Sequence, residues 1–248
     1  MPEIITLIAV FLVGSMAGFM GSIAGGGGLI SIPFLIFIGL PPQVAIATDR
    51  LGSIGQAITA CYKFWKAKKI IWKHVVVLTA LALAGALIGA NILLSFNQEN
   101  LRNVVGLALV ILLPLIFLKR NIGFKKVETT KTKMLIGLAI YFLVQVFTGF
   151  FGGGTGPIIF YTLMYFFGFS IIESNATNNI PWIVLSVTSL IIFALNGLVD
   201  YKNGIVLLFG MAIGGYLGAH TALKKGDSWV KGIFAIIVII SGIKLLFF

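Results

Sequence analysis

Long apolar stretches recur along the whole chain, among them residues 75–94, 104–118, 134–151, 180–195 and 204–223. Each is close to the ~20 residues that cross the hydrocarbon core of a bilayer. Only 10% of the 248 residues are charged, and 59% are hydrophobic. A soluble domain carries roughly a quarter charged residues. The chain therefore reads as an all-α, polytopic membrane protein. Its first residues, MPEIITLIAVFLVG, lack the basic start of a secretory signal peptide and read as a retained first membrane segment. The single cysteine, Cys61, leaves no intramolecular disulfide and no cysteine-based zinc site; no metal and no cofactor is expected.

The formal net charge of +11 raises the question of a polyanionic partner. Its distribution answers it. Thirteen of the eighteen basic residues fall in three short loops: Lys66, Lys68, Lys69 and Lys73; Lys119, Arg120, Lys125, Lys126, Lys131 and Lys133; and Lys224, Lys225 and Lys231. This is the positive-inside pattern. Topology and anionic lipid headgroups account for it, and no nucleic-acid partner is expected.

The sequence also repeats. Shifted by 129 residues, Gly39 falls on Gly168, Ala47-Thr48 on Ala176-Thr177, Gly85 on Gly214, and Gly89-Ala90 on Gly218-Ala219. Upstream the second copy is two residues shorter, so Gly18-Phe19-Met20-Gly21 matches Gly149-Phe150-Phe151-Gly152. Residues 1–119 and 134–248 then form two homologous halves joined by a linker at 120–133. The loop at 66–73 is lysine-rich, whereas its counterpart at 195–202 is balanced; the loop at 95–102 is balanced, whereas its counterpart at 224–231 is basic. Equivalent loops are therefore expected on opposite sides of the membrane. That makes the repeat inverted, with the linker (119–133) cytoplasmic and both termini outside.

Each half divides into about five segments, eight to ten in all. In the first half these are 4–23, 28–39, 42–65, 72–95 and 100–118. The second segment is short, about 18 Å at 1.5 Å per residue. It recurs at 157–167. Both copies begin at a glycine run, AGGGG and FGGGTG. Paired short segments in an inverted repeat mark a secondary transporter, with its site where the breaks meet. Irregular backbone at membrane depth is tolerated only inside protein or against a wet cavity.

The motifs GSIAGGGGLISIP and GLPPQVAIATDRLGS, with a second copy carrying SNATNN, resemble the TauE/SafE family of sulfite and organosulfonate exporters. The resemblance covers essentially the whole chain. It implies an inner-membrane permease for a small anion, with sulfite or an organosulfonate as the substrate class. It leaves the exact substrate, the direction, the coupling ion and the oligomeric state open; a homodimer is admissible.

Consecutive glycines can turn several N–H groups into one anion-binding concavity, and the short segments present their positive N-termini just beyond. Gly25, Gly26, Gly27 and Gly28, with Gly152, Gly153, Gly154 and Thr155, are therefore the expected substrate ligands. Thr48, Arg50, Asn175, Thr177 and Asn178 join them from the third segments. Arg50 offers a planar fork for an oxyanion. Asp49 is expected either to pair with Arg50 or to carry a coupling proton. Gln56 and Asn179 are assigned to the same path, and Trp182 is the tryptophan least typical of an interfacial belt. The isolated pairs Gly85/Gly89 and Gly214/Gly218 read as helix-packing devices. Two rivals are weighed. A membrane enzyme finds no support, since Gly52-Ser53-Ile54-Gly55 lacks the first glycine of a nucleophile turn. A channel that uses the same glycine-rich constriction is the alternative.

Overall fold

A computed structural model describes residues 3–96, 129–230 and 232–233. The fifth segment of the first half, most of the linker and the end of the second half lie outside the described residues. Eight helices dominate what is described: α1 (Glu3–Ala24), α2 (Gly28–Phe37), α3 (Pro42–Lys66), α4 (Trp72–Ser95), α5 (Lys131–Phe150), α6 (Gly156–Phe167), α7 (Ile171–Leu195) and α8 (Tyr201–Lys225). Among the described residues α1, α4, α5, α7 and α8 are long and apolar enough to cross a membrane. The protein is a multi-pass helical membrane protein. The expected segments match the helices within about two residues. The α5 helix starts at Lys131, inside the range assigned to the linker.

Local chemistry sets the ends. The α2 helix stops where Gly39 takes φ +104° and Pro41 follows. The α6 helix has Pro157 in its first turn and ends on left-handed Gly168. Ser170 and Glu173 form a reciprocal capping box that starts α7. The Asp200 side chain accepts from the Asn203 N–H at 3.0 Å and starts α8.

Packing exchanges elements between the halves. The α1 helix lies on α8, and its repeat equivalent α5 lies on α4. The α3 helix also packs on α8, and α7 on α4, while α3 and α7 meet each other at the centre. The paired glycines make these approaches possible. A methyl on Gly85 would reach the backbone of Gln145, and one on Gly218 the backbone of Phe19. Two hydrogen bonds repeat the exchange: the Asp200 N–H donates to Thr48 Oγ1, and the Ile71 N–H to Thr177 Oγ1, both at 3.0 Å.

These contacts also fix the direction of the helices. Thr59 Oγ1 donates to the Ala212 carbonyl at 2.8 Å, and Lys63 Nζ stacks over the Tyr216 ring. Together with the Thr48–Asp200 bond, this makes α3 and α8 run parallel. The loop at 195–202 therefore sits level with Thr48, and the loop at 66–73 lies beyond Lys66. At 1.5 Å per residue the two are separated by about 27 Å along the axis, close to the thickness of a hydrocarbon core. Glu3 pairs with Lys202, which brings the start of α1 to the 195–202 end.

Candidate functional site

Both long-short helix pairs break at their glycine runs, and the two breaks touch. Gly25 has φ +73°, and Gly152 and Gly154 have φ +79° and +76°. These are left-handed conformations that a side chain disfavours. A methyl on Gly25 would lie 2.6 Å from the Gly156 Cα, and one on Gly28 would lie 3.1 Å from the Gly153 Cα. The chain thus brings backbone against backbone, and the N-termini of α2 and α6 arrive at one place.

A cavity of about 30 Å³ opens there. Roughly 10–15 Å³ suffices for one water, so it holds about two. Its walls are Gly21, Gly25, Gly27 and Gly28 from the first break, Gly152, Gly156 and Phe160 from the second, Asp49, Ser53 and Gln56 from α3, and Asn175, Asn178, Asn179 and Trp182 from α7. Among the described residues, the N–H groups of Gly27, Gly28 and Gly156 find no backbone acceptor. They are the orphan donors that every helix start leaves, here turned inward instead of to water.

The polar walls are ordered by specific bonds. Asp49 Oδ1 accepts from the Ser31 hydroxyl, and Oδ2 from the Ser53 hydroxyl at 3.2 Å. Asn178 Oδ1 accepts from the Tyr141 hydroxyl at 2.7 Å, which leaves its amino group as a donor. Asn179 donates to the Asn175 carbonyl at 2.8 Å and to its side-chain oxygen at 3.1 Å. Among the described residues the Trp182 indole N–H has no partner.

The sequence-assigned residues divide. Gly25, Gly27, Gly28, Asp49, Gln56, Gly152, Asn175, Asn178 and Asn179 line the cavity. Gly26, Thr48, Arg50, Gly153, Gly154, Thr155 and Thr177 do not. Thr48 and Thr177 are fully buried at the joints to the first residues of the opposite halves' helices described above. Thr155 Oγ1 closes its own turn on the Gly152 carbonyl at 3.1 Å.

Arg50 stands behind the wall. It is 1% exposed, yet it forms no ion pair with Asp49. Successive helical residues leave about 100° apart, so Asp49 faces the cavity while Arg50 faces the end of α5. Its Nη2 donates to the Thr148 carbonyl and, at 3.4 Å, to the Gly149 carbonyl. A cation on the last carbonyls of a helix complements the negative end of its dipole. The guanidinium also covers Gly152, where any side chain would strike it. The other half uses a neutral version of this clamp: Asn175 Nδ2 donates to the Ser22 carbonyl at 2.5 Å, near the end of α1.

Sequence reasoning passed over Ser31, Tyr141 and Phe160. Tyr141 lies on α5, one turn before Gln145, and only its polarity in an apolar run marked it. Ser53 was weighed only as a nucleophile. Its position four residues after Asp49, on one helix face, carries the signal for its real partner.

Comparison with known proteins gives a consistent result. The family model described as "Sulfite exporter TauE/SafE" matches residues 10–245. A "Probable membrane transporter protein" of Haemophilus influenzae is 27% identical over 245 residues, covering 98% of this chain and 96% of its own. The "Probable membrane transporter protein YfcA" of Escherichia coli strain K12 is 30% identical over 241 residues, covering 96% of this chain and 88% of its own. The "Probable membrane transporter protein YunE" of Bacillus subtilis is 25% identical, with 98% of both chains covered. No solved structure matches the chain.

Proposed function

The chain belongs to the sulfite exporter TauE/SafE family of membrane transporters, and on that premise we propose that it exports or exchanges a small anion, sulfite or an organosulfonate, by alternating access. The observation that carries this reading is the meeting of two half-helix N-termini, one from each half of the chain, on one buried cavity. Their orphan N–H groups and positive dipole ends suit an oxyanion without needing a formal charge in contact with it. Side-chain amides of Gln56 and Asn178 add neutral donors. Binding by neutral donors holds an anion weakly enough to release it, as transport requires.

Asp49 is the coupling group in this mechanism. A carboxylate and an anion in the same small cavity repel, so entry of the anion favours the protonated carboxyl, and the proton and anion move together. Arg50 acts one layer back. It fixes the carbonyl end of α5 and lends positive potential to the Gly152 turn. The cavity is too small for an organosulfonate as it stands, so the broken helices move apart to admit one. The protein sits in the inner membrane with the 66–73 loop and the linker cytoplasmic and the 195–202 loop and both termini outside. The substrate and the bilayer are its partners in this reading.

The test is flux into proteoliposomes across sulfite, sulfoacetate, thiosulfate, sulfate and short carboxylates. Saturable uptake of sulfite or an organosulfonate is the expected result. Absence of saturable flux for all of them overturns the reading, and unitary currents would replace the carrier with a pore.

A further inference from the structure

A hydroxyl inside a helix ordinarily donates to the carbonyl one turn back. Ser15, Thr148, Ser174 and Thr221 do so here, at 2.7–2.9 Å. Thr79, Ser186 and Ser189 do not; their hydroxyls are buried without a partner among the described residues. The indole N–H of Trp182 shares that condition, and both amide atoms of Gln145 lack a well-aligned hydrogen bond although the Tyr141 hydroxyl lies close beside them. Six of the nine buried side-chain atoms without a well-aligned hydrogen bond among the described residues belong to these five side chains.

The five are not scattered. Trp182, Ser186 and Ser189 follow at spacings of four and three, so they occupy one face of α7. That face continues the one on which Asn175, Asn178 and Asn179 line the cavity. Thr79 is on α4 and Gln145 on α5, and α4 packs on both α5 and α7. Gly85 of α4 sits on the backbone of Gln145, and Ala82 and Ala86 pack with Leu185. The polar groups therefore run along the wedge between the three helices. They lead from Trp182 at the cavity towards Leu195, the end that carries the 195–202 loop.

Packing does not call for them. The repeat supplies its own control, because the matching positions in the opposite half are Ala57 for Ser186, Ala60 for Ser189, Gly14 for Gln145 and Leu208 for Thr79. Ala57 and Ala60 are fully buried and fill the same places in the equivalent helix. A buried polar atom left unpaired bears its full desolvation penalty, and the partner that remains is water. A line of such atoms, each offering a donor or acceptor, is the kind of wall that holds ordered water.

We infer that this seam is a water-filled access path joining the cavity to the 195–202 end of the protein, that the transported anion takes it, and that Trp182 stands between the two compartments. The inference deepens the transport reading and rests on it. The path is one-sided, since the equivalent face of α3 carries alanines beyond Ser53. Access to the opposite end must therefore use other surfaces.

The experiment uses the full-length Cys61→Ala protein in proteoliposomes, with single cysteines labelled by a charged methanethiosulfonate reagent. The cysteine thiolate attacks the reagent's sulfenyl sulfur and displaces methanesulfinate to form a mixed disulfide, whereas a thiol in a dry or lipid environment stays protonated and inert. Ser186→Cys and Ser189→Cys are expected to react at least about tenfold faster than Val187→Cys and Ile191→Cys on the apolar face of α7. This reverses the order of exposure, since Val187 and Ile191 are 37% and 53% exposed and the two serines 0%. Unreactive cysteines at 186 and 189 overturn the path. Ser186→Leu is expected to cut sulfite flux by about tenfold or more while sulfite still raises the melting temperature, because the cavity itself is intact. Unimpaired flux in that variant also overturns the path. The two readings fail separately: a labelled seam in a protein that moves none of the anions removes the transport reading, and an unlabelled seam in a protein with saturable flux removes the path alone.

Discussion

Replacing Gly156 with alanine tests the contact on which the site depends. Gly156 opens α6 with φ in the ordinary range, so alanine meets no backbone strain there. Helix propensity even favours it, by something under ~1 kcal/mol. The obstacle is the other half of the protein. The methyl would lie 2.6 Å from the carbonyl carbon of Gly25, with the Gly25 oxygen and Cα closer still. Ordinary contact begins near 3.4 Å and the nearest atom, the Gly25 oxygen, would lie at 2.2 Å, so the two breaks must part by roughly 1 Å. The obstructing atoms are backbone, which no rotamer change can clear. Overpacking of this kind costs about 1–3 kcal/mol, which outweighs the propensity gain. The displacement falls on the N–H groups that line the cavity, and each 1.4 kcal/mol lost there is about a tenfold loss of affinity. Gly156→Ala is therefore expected to melt earlier in detergent and to raise the half-saturating sulfite concentration about tenfold or more. Gly226→Ala is a control, since that glycine also has positive φ but nothing within 4 Å of a methyl. It should lose a little stability and keep its flux. A Gly156→Ala protein with ordinary stability and ordinary affinity would show that the two breaks need not touch, and would remove the central site.

Arg50→Gln is expected to lower stability by about 1.5–3 kcal/mol through loss of the charged bonds to the α5 carbonyls, and Arg50→Lys to restore only part, because the fork is gone; chemical unfolding in detergent measures both. Asp49→Asn should keep anion exchange and lose accumulation driven by a pH gradient, and parallel loss of both in proteoliposomes would assign Asp49 to structure alone. Thr48→Val and Thr177→Val should each destabilise by about 1 kcal/mol, since each strands a partly buried N–H at an equivalent joint; markedly unequal melting shifts would refute that equivalence. Cysteines at Lys68 and Val199 should label from opposite faces of the membrane in intact cells, and labelling from one face would remove the opposed orientation of the halves.

Much of this molecule was legible in the residues. Segment positions follow from hydropathy and from turn chemistry at Gly39-Leu40-Pro41, Gly168 and Ser170, which are local signals. The repeat and the two glycine breaks follow from self-comparison, and self-comparison also points to where the halves meet. Gln56 and Asn178 were assigned to the site because they are polar in apolar helices, and both stand on helix faces that line the cavity.

What the sequence did not decide is where a side chain goes once it leaves its helix. Asp49 and Arg50 are neighbours in the chain, which suggested a pair. Helical geometry turns them apart, and the end of α5, ninety-eight residues away, supplies the partner for Arg50. Thr48 and Thr177 read as ligands because they repeat; they repeat because each receives the N–H that starts a helix of the opposite half. Ser186 and Gln145 looked unremarkable singly, and only burial without a well-aligned hydrogen bond marks them. Periodicity and composition are properties of a segment, so the sequence alone determined the helices, the breaks and the membrane. Which polar group finds another, and which finds none, depends on contacts between distant segments, and that was decided by the tertiary structure.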